Sequence, residues 1–243
     1  MKDFFKRWLQ KILGFNNYLF WFSVYAIRKS RGDREFIYFM DKIPQDGSAI
    51  LDIGANIGIM SVNLGRRFPG SKIYSFEPMP NNLIALKRVI KYYNLNNIIV
   101  SEIALGEENG NLKIVTPVIN NVKMQGLTHV WSAERYPTTN EGIIFDVPVK
   151  RLDEVEVLNN ASISAIKIDV ENFEFEVLKG GRNLLTKHKP IIYCELWPGE
   201  QRIRTINFLC ELGYQTEVFE GDKFVAYRGQ ESTNFIFSYP GKP

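Results

Sequence analysis

From residue 48 onward, short apolar runs alternate with stretches in which apolar residues recur at helical spacing. The apolar runs, rich in β-branched residues, are Ser48–Ile53, Lys72–Phe76, Ile98–Glu102, Ala165–Asp169 and Ile191–Glu195. The stretches with helical spacing lie near 57–68, 80–93, 171–187 and 200–212. Strands that alternate with helices form a mostly parallel central sheet with helices on both faces, so the pattern predicts an α/β fold.

Two regions depart from this alternation. Residues 214–219, 224–227 and 234–239 alternate apolar and polar positions, which predicts antiparallel strands at one edge of the sheet, the carboxyl-terminal edge. Residues 117–142 instead mix polar residues, glycine and aromatic residues, and we interpret them as a loop or lid over a binding site. His129 lies in this lid and is a candidate base, although a single loop histidine is more commonly part of a polar surface.

Residues 1–31, a basic and aromatic segment, differ from the rest of the chain in charge. They contain seven basic residues and one acidic residue, a net charge of +6, whereas the remaining 212 residues carry 23 basic and 26 acidic groups, a net charge of −3. Phe4, Phe5 and Trp8 recur on one helical face, as in helices that lie in a membrane interface. The segment is therefore either a peripheral anchor on an anionic membrane or a helical cap on the domain at 32–243.

Composition narrows the class of protein further. Hydrophobic residues make up 45% and charged residues 23% of the chain, which excludes a disordered protein. The mildly acidic main part argues against a nucleic-acid surface. Two cysteines, Cys194 and Cys210, are too few for a disulfide framework and form no paired zinc motif. We therefore expect a reducing, cytoplasmic location, with the inner membrane face as the surface that residues 1–31 would meet.

The most specific motif begins where the first apolar run ends. Asp52, Gly54, Ala55, Asn56 and Gly58 form a D-x-G-x-x-x-G turn between a strand and a helix. Gly54 permits a tight turn and a close approach of a ligand to the backbone, and Gly58 permits close packing. The dinucleotide pattern G-x-G-x-x-G is absent, and an acid at the strand end favours a cationic or amino-bearing ligand over a phosphate. A purely structural turn is the alternative.

The next two strand ends also carry acids. Glu77 and Pro78 directly follow the second run, and Glu77 follows Gly54 by 23 residues, where an acid can accept hydrogen bonds from ribose hydroxyls. Glu102 ends the third run and Ala104 follows it; this pair fits the edge of an adenine ring. Three strand ends in agreement favour a nucleoside pocket over three unrelated loop charges.

Over residues 47–215 the chain resembles the FkbM family of S-adenosylmethionine-dependent methyltransferases. The matching segments are LDIGANIGIMS (51–61), FEPMPNN (76–82), VKRLDEV (149–155), AIKIDVENFEFEVLKGG (165–181) and KPIIYCEL (189–196). The resemblance implies a Rossmann-like methyltransferase fold over 32–243, with S-adenosyl-L-methionine as co-substrate. It also implies O-methylation of a hydroxyl on a glycan, a lipid-linked sugar or a secondary metabolite. The family has glycine where this chain has Asn172; asparagine tolerates a left-handed backbone, so we expect the turn to persist.

Asp169, Glu171 and Glu195 are the candidate catalytic residues. They lie at the carboxyl ends of the fourth and fifth runs and should face the same crevice as the methyl donor. They could act as general base or orient the acceptor. Asp169 and Glu195 could also contribute to a divalent-metal site, since Mg²⁺ accepts one or two carboxylates plus waters. Capping of the following helix is the structural alternative for Asp169 and Glu171.

Two functions stay open at this level. Carboxylates at the fourth and fifth strand ends favour an O-methyltransferase, a transferase enzyme. The alternative is a non-catalytic protein that binds S-adenosylmethionine or another nucleoside in a sensing or scaffold role. A dehydrogenase is disfavoured because the dinucleotide fingerprint is absent. The sequence carries no signature that identifies the small-molecule or glycan acceptor, a metal requirement or an oligomeric state.

Overall fold

The computed structural model of this chain describes residues 2–29, 34–119, 122–123, 129–130 and 142–241. The helices are α1 (Lys2–Leu13), α2 (Phe15–Lys29), α3 (Arg34–Lys42), α4 (Ile59–Arg67), α5 (Pro80–Tyr92), α6 (Glu174–Gly180), α7 (Arg182–His188) and α8 (Glu200–Glu211). The strands are β1 (Ala49–Ile53), β2 (Ile73–Phe76), β3 (Ile98–Ser101), β4 (Ala104–Gly106), β5 (Gly110–Ile119), β6 (Val122–Lys123), β7 (His129–Val130), β8 (Gly142–Arg151), β9 (Ile163–Ile168), β10 (Ile191–Glu195), β11 (Gln215–Glu220), β12 (Lys223–Ala226) and β13 (Asn234–Ser238).

The central sheet runs in the order β12-β11-β13-β10-β9-β1-β2-β3. The strands β3, β2, β1, β9 and β10 are parallel to one another. At the other edge β13, β11 and β12 pair antiparallel. The predicted mostly parallel sheet and its antiparallel carboxyl-terminal edge are both confirmed. The carboxyl ends of β1, β2, β9 and β10 meet at one edge, which is where open α/β sheets bind ligands.

Successive residues of the central strands point to opposite faces of the sheet and build two cores. Leu51 of β1 packs in a cluster formed with α6, α7 and α8. Its neighbour Ile50 packs on the other face with Phe36 of α3 and Leu64 of α4. Both faces of these strands are covered, and this is why they appear in the sequence as nearly continuous apolar runs.

The helix α2 packs against α4 and α5. Its Ile27 is buried beside Val62 and Val89. The buried Ser23 hydroxyl donates a 2.6 Å hydrogen bond to the carbonyl of Ile57, a residue of the glycine turn. One side of α2 is thus part of the domain core and helps to hold that turn, as a packed cap would.

A second sheet runs in the order β4-β8-β5-β6, with β7 paired to β5. The apolar runs read from the sequence do not include its long strands β5 and β8, which pair with each other rather than with the central sheet. Most of the predicted lid at 117–142 lies outside the described residues. Its described parts, including β6 and β7, are strands rather than loop.

The single helix predicted at 171–187 is two helices in the structure. The first, α6, ends at Gly180, and α7 begins two residues later. A Cβ at Gly180 would collide with the carbonyl oxygen of Gly106 in β4, and a Cβ at Gly181 would come within 2.7 Å of Leu152. The two glycines let the second sheet approach closely. The helix breaks at this tertiary contact. The helical spacing of apolar residues over 171–187 does not predict the break.

Candidate active site

A cavity of about 310 Å³ lies where the carboxyl ends of the central strands meet the second sheet. Its volume is in the range of small-molecule sites. The predicted site residues that line it are Gly54, Asn56, Glu77, Pro78, Ala104, Asp169, Glu171 and Glu195. We call Gly54, Asn56 and Glu77 the glycine-turn side. Asp169, Glu171 and Glu195 form the carboxylate cluster.

The glycine turn is fixed by its neighbours at the strand ends. The amides of Gly54 and Ala55 both donate to the carbonyl of Phe76, at 3.1 and 2.9 Å, and tie β1 to β2. Gly54 has φ +75°. A Cβ there would collide with the backbone carbonyl oxygen of Asp169. Glycine is therefore required by the approach of β9 as well as by any ligand, which extends the role expected from the sequence.

Asp52 is fully buried under the glycine turn and is not among the residues that line the cavity. Its Oδ1 lies 3.2 Å from Lys167 Nζ, and its Oδ2 accepts a 2.5 Å hydrogen bond from Ser61. Lys167 also donates to the carbonyl of Gly54 at 2.8 Å. Burial would lower the pKa of Lys167, but the carboxylates of Asp52 and Asp169 outweigh it and raise the pKa. The cation expected at Asp52 is thus a lysine of the chain itself, and Asp52 supports the turn instead of meeting the ligand.

Glu77 is buried and holds three donors from its own chain. Its Oε2 accepts from the Asn56 amide at 2.8 Å; its Oε1 accepts from the Met79 amide at 2.8 Å and from Asn82 Nδ2 at 3.2 Å. Burial raises the pKa of Glu77 to about 7 despite these hydrogen bonds. A carboxylate has about four acceptor positions, so one remains on Oε2 for a ligand hydroxyl. The geometry fits the predicted ribose acceptor.

The carboxylate cluster gathers like charges around one cavity. Burial, and then repulsion from Asp169 and Glu195, raises the pKa of Glu171 to about 8. Burial and the charge of Asp169 raise the pKa of Glu195 to about 7, against the opposing charge of Lys167. Groups that titrate near neutral pH suit general acid–base catalysis, and a cationic ligand would relieve their repulsion. The helix α6 follows Phe173 with no side-chain cap, so the capping alternative for Asp169 and Glu171 is not supported.

The turn between β9 and α6 has two left-handed residues. Asn172 has φ +67°, which confirms that asparagine keeps the turn where the family has glycine. Glu171 has φ +54°, a conformation that costs free energy for a non-glycine residue and is concentrated at functional sites. Glu174, 2% exposed, accepts a 3.0 Å hydrogen bond from the amide of Val170 and closes the turn. Burial raises the pKa of Glu174 to about 7.

Besides Asp52, three predicted residues do not line the cavity. Glu102 is exposed and forms an ion pair with Lys87 at 2.6 Å, so the structure does not support its predicted contact with an adenine edge. Side chains alternate along an extended chain, and Ile103 lines the cavity instead. Ala55 is buried, and Gly58 has φ +88°, where a Cβ would press on side chains of α5. Both shape the turn from outside the cavity.

Some residues at the cavity were not predicted from the sequence. Phe173 and Trp197 line the cavity beside the carboxylate cluster, and Trp197 stays 45% exposed. The sequence context of Lys167 could have indicated a buried ion pair, because a lysine inside an apolar strand needs a partner if it is buried. The position of Trp197, two residues after Glu195 at the end of β10, could have indicated that it lies at the same edge of the sheet.

His129, the candidate base of the predicted lid, lies on β7 and lines the same cavity. Its role as a base stays a prediction. Within the part of the chain that the structure describes, no three His, Cys, Asp or Glu side chains are grouped to hold a metal ion. The metal-site alternative for Asp169 and Glu195, which needs only one or two carboxylates plus waters, stays a hypothesis.

Comparison with known proteins links this site to a family of enzymes. The model of the methyltransferase FkbM domain matches residues 52–216. Methyltransferase 1 of Beauveria bassiana is 30% identical over 178 residues, 65% of this chain and 72% of the relative. The hexuronic acid methyltransferase AglP of Haloferax volcanii is 23% identical over 200 residues, 81% of this chain and 75% of the relative.

A solved structure shares the fold. The crystal structure of an FkbM methyltransferase from Methylobacillus flagellatus matches 92% of this chain with a TM-score of 0.54 and 17% sequence identity. This chain spans 55% of the length of that protein. The region matched by the domain model contains both the glycine-turn side and the carboxylate cluster.

Proposed function

This chain belongs to the FkbM methyltransferase family, and from that premise we propose that it transfers the methyl group of S-adenosylmethionine to a hydroxyl of a sugar or another small molecule. The observation that carries the proposal is that one cavity is lined by both the glycine-turn side and the carboxylate cluster. A nucleoside donor and a hydroxyl acceptor can then meet beside groups that titrate near neutral pH.

The residues present fit the donor. Glu77 keeps an acceptor position on Oε2 for a ribose hydroxyl, and Gly54 forms part of the cavity wall. The donor carries a positively charged sulfonium, and the carboxylate cluster supplies the complementary negative charge. A phosphate-binding site would instead present positive charge. We expect binding of this cation to lower the raised pKa of Glu171 and of Glu195.

The residues beside the cluster suit a sugar ring. Trp197 offers a partly exposed aromatic face next to the carboxylate of Glu195, so that a ring can stack while its hydroxyl meets an acceptor. A relative named as a hexuronic acid methyltransferase supports a sugar as the first acceptor class to test. The carboxylate cluster would repel a uronic acid group, so we expect a neutral sugar to be preferred.

The chemistry required of the chain is limited to positioning and proton transfer. Bound in the cavity, the donor supplies an electrophilic methyl group. The carboxylate of Glu171 or Glu195 accepts the hydroxyl proton as the oxygen–methyl bond forms and the sulfur–methyl bond breaks, which leaves S-adenosylhomocysteine. The pKa values of about 8 and about 7 place both groups in the range where a base is effective at neutral pH.

The test is methyl transfer from labelled donor to a panel of neutral glycosides, glucuronides and polyketide alcohols. We expect transfer to a neutral acceptor, with a rate that rises between about pH 6 and 8 as the base loses its proton. Glu171→Gln or Glu195→Gln should lower kcat/KM at pH 8 by about 100-fold, while Glu102→Gln, in an exposed ion pair, should not.

Two results would contradict parts of this proposal. Tight donor binding with no transfer to any acceptor would favour the non-catalytic alternative. Undiminished transfer by both glutamine variants would remove Glu171 and Glu195 from proton transfer and leave the family reaction intact.

A further inference from the structure

The outward side of α2 carries large apolar side chains. Trp21 is 51% exposed, Phe22 43% and Tyr25 59%, whereas Val24 and Ile27 on the other side are buried in the domain core. We call Trp21, Phe22 and Tyr25 the aromatic face. Contiguous exposed apolar side chains on a well-packed helix mark an interaction surface.

The preceding helix α1 is divided in the same way. Leu9 and Leu13 pack toward Tyr18 and Leu19 of α2. Trp8 is 50% exposed and Ile12 is 59% exposed. Both helices therefore have one side packed on the domain and another side with partly exposed apolar side chains.

Basic residues accompany this exposed apolar surface. Lys11, Arg28 and Lys29 are exposed, and Lys29 Nζ lies 5.9 Å from the centre of the Tyr25 ring. The first 31 residues carry a net charge of +6, against −3 for the rest of the chain. A positively charged surface on an otherwise acidic protein is complementary to a negatively charged partner.

We propose that the aromatic face, with the exposed side of α1, docks on the surface of an anionic phospholipid membrane. Exposed tryptophan, tyrosine and phenylalanine next to lysine and arginine is the composition of helices that lie in a membrane interface. Protein–protein interfaces are instead depleted in lysine. None of the described helices is long and apolar enough to cross a bilayer.

Docking would place the donor site close to the lipid surface, because α2 is in direct contact with the glycine turn. The helix that bears the aromatic face donates its Ser23 hydroxyl to the Ile57 carbonyl in the glycine turn. Deleting residues 1–31 would therefore disturb the core and the site together, and surface substitutions in the full chain are the cleaner test.

The experiment measures sedimentation of the full chain with phosphatidylcholine vesicles, with and without about one-third phosphatidylserine, at about 0.1 M and about 1 M salt. We expect binding that requires phosphatidylserine and weakens at high salt. The double variant Trp21→Gln with Tyr25→Gln should bind at least about tenfold more weakly. Ile203→Gln is the matched control, because Ile203 is 60% exposed on α8, which covers the other face of the sheet.

Charge is tested with a second pair of variants. Lys11→Gln with Lys29→Gln should lower vesicle binding about tenfold and reduce its salt dependence. Lys187→Gln with Lys223→Gln removes the same charge from exposed positions elsewhere and should have a smaller effect. Unchanged melting temperatures will show that all four proteins are folded.

Three outcomes overturn the proposal. One is no sedimentation with phosphatidylserine vesicles at low salt. The second is equal binding by Trp21→Gln with Tyr25→Gln and by Ile203→Gln. The third is a dimer in light scattering that the aromatic double variant abolishes while vesicles are not bound, since the face would then join two copies of the chain.

Discussion

The glycine-turn side and the carboxylate cluster line the same cavity but differ in how their polar groups are satisfied. Glu77 accepts three hydrogen bonds from its own chain, and Asp52 behind it is paired with Lys167. The cluster instead places Glu171 in a left-handed backbone among carboxylates that repel it. One side is formed in advance of ligand binding; the other holds electrostatic repulsion that a cation or a proton relieves.

This difference separates binding from chemistry. A site that must hold the same nucleoside in every turnover benefits from preorganised acceptors. A site that must take a proton needs a pKa near the working pH, which burial and like charges provide. Substitutions on the two sides should therefore change different measured quantities.

The largest expected effect lies beneath the glycine turn. Lys167→Met leaves Asp52 buried without its cation and should lower the free energy of unfolding by about 3–5 kcal/mol, measured by urea denaturation. Lys187→Met, at an exposed position of α7, is the control and should change it by less than about 0.5 kcal/mol.

A second variant distinguishes the ion pair from simple packing. Adding Asp52→Asn to Lys167→Met removes the unpaired charge and should recover part of the lost stability. If the single variant is nearly as stable as the parent chain, the pair does not hold the turn in the way described.

The next effect concerns donor affinity. Glu77→Gln loses the carboxylate acceptor for the ribose, a charge-assisted hydrogen bond worth roughly 1.5–3 kcal/mol, so affinity for S-adenosylmethionine should fall at least about tenfold in calorimetry. Glu102→Gln lies near the same sheet edge but outside the cavity and should bind as the parent does. Equal affinities for the two variants would refute the placement of the ribose at Glu77.

The smallest expected effect is a gain in thermal stability when Glu171 of the carboxylate cluster is replaced by glutamine. The pKa of Glu171 is raised from 4.5 to about 8, so between these values the folded state binds more protons than the unfolded state. Stability from this group is present below about pH 4.5 and is lost as the pH rises through about 8. Glu171→Gln should therefore melt at a higher temperature than the parent at pH 8, with a smaller difference at pH 5.

Thermal melts of the unliganded proteins across pH 5 to 8 check this sign, with Glu102→Gln as the control. A lower melting temperature for Glu171→Gln at pH 8 would show that Glu171 stabilises the fold in its charged form. The repulsion inferred for the cluster would then be wrong.

Much of the site is determined by the sequence itself. Apolar runs that alternate with helices specify a parallel sheet, and the ends of its strands must meet at one edge. For this reason Gly54, Glu77, Asp169 and Glu195 could be assigned to one cavity without coordinates. The antiparallel carboxyl-terminal edge and the turn at Asn172 followed from equally local signals, namely a period of two and the backbone tolerance of asparagine.

Other features depend on contacts between distant parts of the chain. Three features depend on the second sheet and on strand ends that are far apart in sequence. They are the side of the sheet edge that Glu102 faces, the helix break after Gly180 and the approach of Trp197 to the cavity. Asp52 and Lys167 lie opposite each other only because β1 and β9 are neighbours, although more than a hundred residues separate them. The local pattern of polar and apolar residues determines the secondary-structure elements and which polar residues lie at strand ends. The tertiary structure decides which buried charge meets which partner, because a pair's energy depends on distance and burial.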